Sequence, residues 1–280
     1  MQHFLVPTDF SETAFAALQY AAGIASHTKT KLSILHICKQ ANEEAKAMLD
    51  IQNLQNSLLE NLMLRDIEIH LLVLSGEFME ILEELVQNTV YDYIVMGMKG
   101  SRTLTSSWLG MEKAESVDNF WVGSHTNKVL EKIKIPIIVV PPFAKFRNLQ
   151  QITLAIDTKK EYVSEVFAPL QTLADFFKSN VAIVTIRLRE ETKEEDKEEV
   201  QLKKIKKWIG NTIVCSLKVV IADTVQEGLQ YYIAQKNNQD MLVMVTRKKD
   251  FFEKIFGLSA TQQMVYSTDT PILILHNHQT

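Results

Sequence analysis

The strongest constraint on this sequence is that it runs through one pattern of elements twice. His3–Asp9 (HFLVPTD) reads as a buried strand ending in Asp, and Ile152–Asp157 (ITLAID) reads the same way. An amphipathic helix follows each: Ser11–Ala25, with Phe15, Leu18, Ala22 and Ala25 on one face, and Val163–Phe177, with Val166, Leu170, Leu173 and Phe177 in their places. Then come a second strand (Lys31–Ile37; Val181–Ile186), a polar helix (Asn42–Leu64; Glu190–Trp208) and a third strand (Ile67–Leu74; Ser216–Ile221). A short amphipathic helix (Phe78–Gln87; Val225–Ala234) leads to nearly superimposable fourth strands, Tyr91–Gly97 (YDYIVMG) and Gln239–Val245 (QDMLVMV). Each half closes with helix, proline and apolar strand, Val129–Val140 against Met264–Leu275. Repeats of this length make one structural unit per copy.

Strands that are apolar throughout and alternate with helices predict parallel sheets covered on both faces, an α/β fold. The first domain is expected at 1–147 and the second at 148–280, with the boundary near Phe143–Gln150. The acidic run Glu190–Val200 occupies the slot of a polar helix, which makes it a solvated helix face rather than a linker.

Composition narrows the partners. A net charge of -4 offers no electrostatic reason to bind nucleic acid or an anionic membrane. The longest apolar runs, such as Ile135–Pro142, are too short to span a bilayer. The opening residues lack a charged region followed by an apolar stretch, so no signal peptide is expected. Cys38 and Cys215 are 215 − 38 = 177 residues apart, which disfavours a disulfide framework or cysteine metal site and fits a cytoplasmic protein. His276 and His278 read as part of a solvated tail rather than as a metal pair.

In open parallel sheets, ligands bind beyond the carboxyl ends of the strands where the winding direction reverses. The informative residues therefore follow the first and fourth strands. Pro7-Thr8-Asp9-Phe10-Ser11 is a turn with helix-capping residues. Gly97-Met98-Lys99-Gly100 follows strand four, and four of the nine glycines fall between positions 97 and 123, so this segment is where backbone could approach a phosphate closely.

The opening FLVPTDFSETAFAALQYA, the strand YDYIVMG with its GxxG, and the ending GSHTNKVLEKIKIPIIVVPP resemble a universal stress protein domain. The resemblance covers most of residues 2–142 and, more faintly, 151–276, so the chain resembles a tandem universal stress protein. It implies two flavodoxin- or Rossmann-like domains, each with a five-stranded parallel sheet in the order 3-2-1-4-5 between helices. It implies ATP, with Mg²⁺, as ligand, contacted by Pro7, Thr8, Asp9, Ile37, Gly97, Met98, Gly100, Gly123, Ser124 and Thr126. It also implies an internal pseudo-dimer in which Ile137–Val140 meets Ile272–Leu275, with a further homodimer left open.

The family signature is Gly, two residues, Gly, nine residues, Gly, then Ser or Thr. Here Gly110 has the spacing but precedes Met111, and the Gly-Ser pair is Gly123-Ser124. The repeat measures the difference: Asp9 to Asp157 and Gly97 to Val245 are offsets of 148, whereas Pro136 to Pro271 and Ser124 to Ser259 are offsets of 135. The first half thus carries 148 − 135 = 13 extra residues, placed at Met111–Gly123, inside the loop expected to wrap the phosphates. Its Glu112, Glu115 and Asp118 against Lys113 disfavour a close triphosphate unless a cation intervenes. In the second half Thr246-Arg247-Lys248-Lys249 stands where Gly-x-x-Gly would, so nucleotide binding of the family kind is expected in the first half alone.

No GxSxG elbow, HExxH, CxxC or Walker A sequence occurs, which argues against an enzyme beyond weak ATP hydrolysis. His36 reads as a strand-end histidine rather than a general base. Two readings stay open: a nucleotide-binding regulatory protein of the stress response, and a ligand-independent interaction module whose two sites have both degenerated.

Overall fold

The computed structural model describes residues 2–62, 67–98, 124–190, 195–235, 240–246 and 270–277. The first half runs β1 (His3–Pro7), α1 (Glu12–Thr28), β2 (Lys31–Cys38), α2 (Glu44–Leu62), β3 (Ile69–Ser75), α3 (Phe78–Asn88), β4 (Tyr93–Gly97), α4 (Ser124–Lys132) and β5 (Ile137–Val140). The second runs β6 (Gln151–Ile156), α5 (Ala168–Phe177), β7 (Asn180–Leu188), α6 (Glu195–Ile209), β8 (Cys215–Ala222), α7 (Val225–Gln235), β9 (Met241–Thr246) and β10 (Ile272–His276).

The sheet order is β3-β2-β1-β4-β5-β10-β9-β6-β7-β8. Read inward from each edge, each half has the local order 3-2-1-4-5, with parallel neighbours throughout. The two five-stranded sheets are continuous, because β5 and β10 pair antiparallel through Val139↔Ile272, Ile138↔Leu273 and Ile137↔Ile274. Ile137, Ile138, Val139 and Val140 are fully buried, so an open β5 edge would have exposed four apolar residues and an unpaired row of amides. His276, expected in a solvated tail, instead ends β10 beside Thr246.

Alternating residues of each strand feed two apolar layers. Val6, Ile34, Tyr93 and Val95 continue into Leu154, Ile183, Val243 and Leu273 beneath α1, α2, α5 and α6. Leu5, Leu35, Ile94 and Met96 continue into Leu242, Met244 and Ile274 beneath α3, α4 and α7.

The caps of α1 and α5 show how the repeat is built. Each helix ends on a lysine in the left-handed region, Lys29 at φ 52° donating its N–H to Ala25 O, and Lys178 at φ 54° donating to Ala174 O. Ala25 therefore corresponds to Ala174, three residues away from the Phe177 suggested by the apolar faces. The faces misled because α5 starts late, after a 3₁₀ turn at Ser164–Phe167 whose apolar residues extend the helical pattern.

Candidate functional site

Beyond β1 the chain turns into α1 on one face; α4 covers the other, so the first crevice lies at the carboxyl ends of β1 and β4. Pro7 ends β1 opposite Leu35. Thr8 is buried and fully engaged: its N–H donates to Leu35 O at 2.8 Å, its Oγ1 accepts from Phe10 N at 3.1 Å, and its carbonyl accepts from His36 Nδ1 at 2.9 Å. Asp9 is exposed, and its Oδ1 accepts from both the N–H and the hydroxyl of Ser11, the residue that caps α1 through Ala14 N at 3.3 Å. Phe10 sits at φ 62°, a conformation that costs a residue with a side chain roughly 1–2 kcal/mol. Its ring lies 4.4 Å from that of His36.

Gly97 ends β4 beside Val140. A Cβ there would stand 2.2 Å from Thr13 O, so the missing side chain is what lets the first turn of α1 cross the end of β4. Met98 is buried and its amide donates to Val140 O at 2.9 Å. Ile37 is half-buried near the end of β2, opposite Leu74. Thr126 is buried on α4, on the face opposite α1, and Ser124 begins that helix. Gly100, Gly123, the Met111–Gly123 insertion and Arg247-Lys248-Lys249 lie outside the described residues. The strand ends thus gather Pro7, Thr8, Asp9, Ile37, Gly97 and Met98. Sequence reasoning missed the packing role of Gly97 and gave Phe10 no part; only the place of His36 one residue before Ile37 hinted at its bond to Thr8.

The second half treats the same position differently. Asp157 is followed by a longer segment before the helix, and that segment is tied across the strand ends. Tyr162, 4% exposed, donates its phenol to Asp157 O at 3.0 Å and accepts from Asp157 N at 3.1 Å. Asn277, just past β10, donates its amide to Glu161 O at 2.7 Å, while its backbone N–H donates to Thr246 O at the end of β9. Gln201 of α6 donates to Lys160 O at 3.1 Å. A strap leaving β6 and fastened beside β10 must pass the end of β9, which lies between them. The first turn of α1 crosses the end of β4 in the same way, so the second half differs in the side-chain bonds that fasten its crossing.

Among the described residues, catalytic groups are sparse around the first crevice. Cys38, at the end of β2, is buried, and desolvation followed by Glu43 and Glu44 pushes its thiol up, so it remains a neutral thiol rather than a nucleophile. Among the described residues no group of three or more His, Cys, Asp or Glu side chains could hold a metal ion, and no helix is long and apolar enough to cross a membrane.

The model of the universal stress protein family matches residues 1–141. Among solved structures, a universal stress protein from Archaeoglobus fulgidus DSM 4304 is similar over 97% of this chain and 97% of its own, with a TM-score of 0.68 and 14% identity. A functionally unknown protein from Pseudomonas aeruginosa PAO1 is similar over 99% of this chain and 93% of its own, with a TM-score of 0.57 and 13% identity. The cytoplasmic domain of a prokaryotic cation chloride cotransporter covers 98% of this chain and 95% of its own length, with a TM-score of 0.57 and 9% identity. At these identities the likeness is one of fold. No curated protein matches the chain in sequence.

Proposed function

Because this chain belongs to the universal stress protein family, we propose that it is a regulatory module whose first half binds ATP with Mg²⁺ and whose second half does not. The observation that carries this reading is the asymmetry of the two crevices. In the first half a short turn, Thr8–Ser11, enters α1 directly; in the second, Tyr162 and Asn277 fasten a strap across the equivalent strand ends.

The residues of the first crevice suit a nucleotide. Ile37 is an apolar, half-buried group on which a base can rest, and the exposed Asp9 carboxylate can accept from ribose hydroxyls. Mg²⁺ would arrive on the phosphate oxygens, where it supplies charge neutralisation. Binding would act by holding the β1–α1 turn in one arrangement and changing partner choice, with little or no turnover.

Calorimetry of the whole chain with ATP and Mg²⁺ tests the reading. One site per chain is expected, and Gly100→Val should abolish it by adding a side chain where backbone approaches phosphate. Two equivalent sites, or undiminished binding by that variant, would overturn it. Joining Gly110 to Ser124 should tighten binding if the acidic insertion occludes the site.

The Met98 amide, already given to Val140, favours the second reading of a ligand-independent interaction module, because one expected backbone donor is spent within the sheet. No heat on mixing with ATP in either parent or deletion variant would establish that reading instead.

A further inference from the structure

The β1–β2 ladder stops one rung early, and a side chain stops it. The last paired residues are Pro7 and Leu35, after which Thr8 N–H donates to Leu35 O. In a parallel ladder the next rung would give the Thr8 carbonyl to the amide of Ile37. That carbonyl instead accepts from His36 Nδ1 at 2.9 Å, and no bond from Ile37 N to Thr8 O is formed. A carbonyl can only accept, so Nδ1 carries the hydrogen.

Two consequences follow from peptide geometry. Ile37 shares the orientation of Leu35, whose carbonyl faces β1, so its N–H points past the end of β1. The Thr8 carbonyl faces β2, as it would in the regular ladder, and the Thr8–Asp9 peptide is trans and planar, so the Asp9 N–H points away from β2, toward β4. Neither amide has a hydrogen-bond partner among the described residues. Phe10, in the left-handed region with its ring on His36, holds the turn in this state.

We infer that His36 is a positioning residue, which cuts the β1–β2 ladder short and so frees the Ile37 amide to act, beside the Asp9 amide, as a donor to an acceptor-bearing ligand in the first crevice. This rests on the nucleotide reading above, where the ligand's acceptors are the ring and sugar atoms of a nucleoside. The second half shows the contrast. The offset of the helix caps, 178 − 29 = 149, puts Thr185 where His36 stands, and its hydroxyl meets only that of Thr158 at 3.4 Å. The half crossed by its own strap lacks the imidazole.

The experiment is residue-resolved amide exchange on the full chain, together with calorimetry using Mg·ATP, for the parent, His36→Leu, His36→Asn and His36→Thr. The Ile37 amide should exchange freely in the parent. His36→Leu should slow it about tenfold or more, because the released Thr8 carbonyl closes the missing rung. A substitution that merely loosened the fold would speed exchange, so the sign separates the two roles. His36→Asn, whose Nδ2 stands in for Nδ1, should restore parent exchange, and His36→Thr serves if the leucine variant does not fold. ATP affinity should fall about tenfold in the leucine or threonine variant and recover in the asparagine variant. An Ile37 amide that is protected in the parent, or unchanged by every substitution, overturns the role of His36. Slowed exchange without any change in ATP affinity overturns ligand recognition by these amides, and a parent that binds no ATP overturns the nucleotide reading itself.

Discussion

Gly97 shows how one residue can carry two readings. Its place in a glycine-rich segment suggests a phosphate approach, yet its contact with Thr13 O requires glycine with or without a ligand. Gly97→Ala should lower stability by roughly 1–3 kcal/mol in the absence of nucleotide, since the obstacle is backbone that cannot swing aside. An unchanged urea midpoint would show that α1 does not pass so close. At the other end of the sheet, His3 is held below the ordinary histidine value of 6.5, first by burial and then by His70 and Lys31, against the opposing pull of Asp92 and Glu68. Unfolding returns it to the ordinary value, so the unfolded chain takes up the proton first as pH falls. The stability due to neutral His3 is therefore complete above that value and declines as pH drops through it toward the folded value. His3→Gln should make the drop in urea midpoint between about pH 7.5 and pH 5 smaller than in the parent. Equal drops would remove His3 from the acid response.

Among elements, the strap after β6 is the informative one. Tyr162 both donates to and accepts from Asp157, closing a small ring around the turn. Tyr162→Phe keeps the ring's apolar packing against Phe167, 5.9 Å away, and deletes both hydrogen bonds. It should destabilise the chain by about 1–3 kcal/mol, because the Asp157 amide is left without its acceptor. Chemical denaturation checks the size, and an unchanged midpoint would mean that the strap is held without the phenol. The strap was not legible in the sequence. Residues 157–163 read as turn and helix start, and nothing in Tyr162 or Asn277 announces that they meet near Asp157 and Glu161.

Across the whole molecule the ring of Phe146 bridges the halves on one face. Phe146, from the segment between β5 and β6, lies against Gly23 of α1, with its ring 5.7 Å from Tyr20 and 6.0 Å from Phe177 of α5. A Cβ on Gly23 would come within 2.4 Å of the Phe146 ring. Tyr93 adds a second tie, its phenol donating to Pro169 O at 2.7 Å across the halves. Gly23→Ala should therefore be destabilising in the parent. In a Phe146→Ala background its sign should reverse toward a gain of up to about 1 kcal/mol, since alanine is the better residue inside a helix once the obstacle is gone. A double-mutant cycle by thermal or urea unfolding decides it, and additive effects would show that Phe146 does not sit on Gly23.

The sequence by itself determined the α/β class, the repeated order of elements and the placing of Pro7, Thr8, Asp9, Gly97 and Met98 at the ends of the first and fourth strands, whereas Ile37 entered through the family resemblance. These follow from periodicity and winding, which are properties of local runs and of their order along the chain. Tertiary structure decided the antiparallel register in which β5 meets β10, and that Gly97 serves helix packing. It also decided that the Thr8 carbonyl goes to His36 Nδ1 rather than to the Ile37 amide, and that side chains fasten the chain after β6. Each of these depends on which atoms meet across many residues of separation, where a few tenths of an ångström or one redirected carbonyl settles the outcome, and no run of neighbouring residues encodes that.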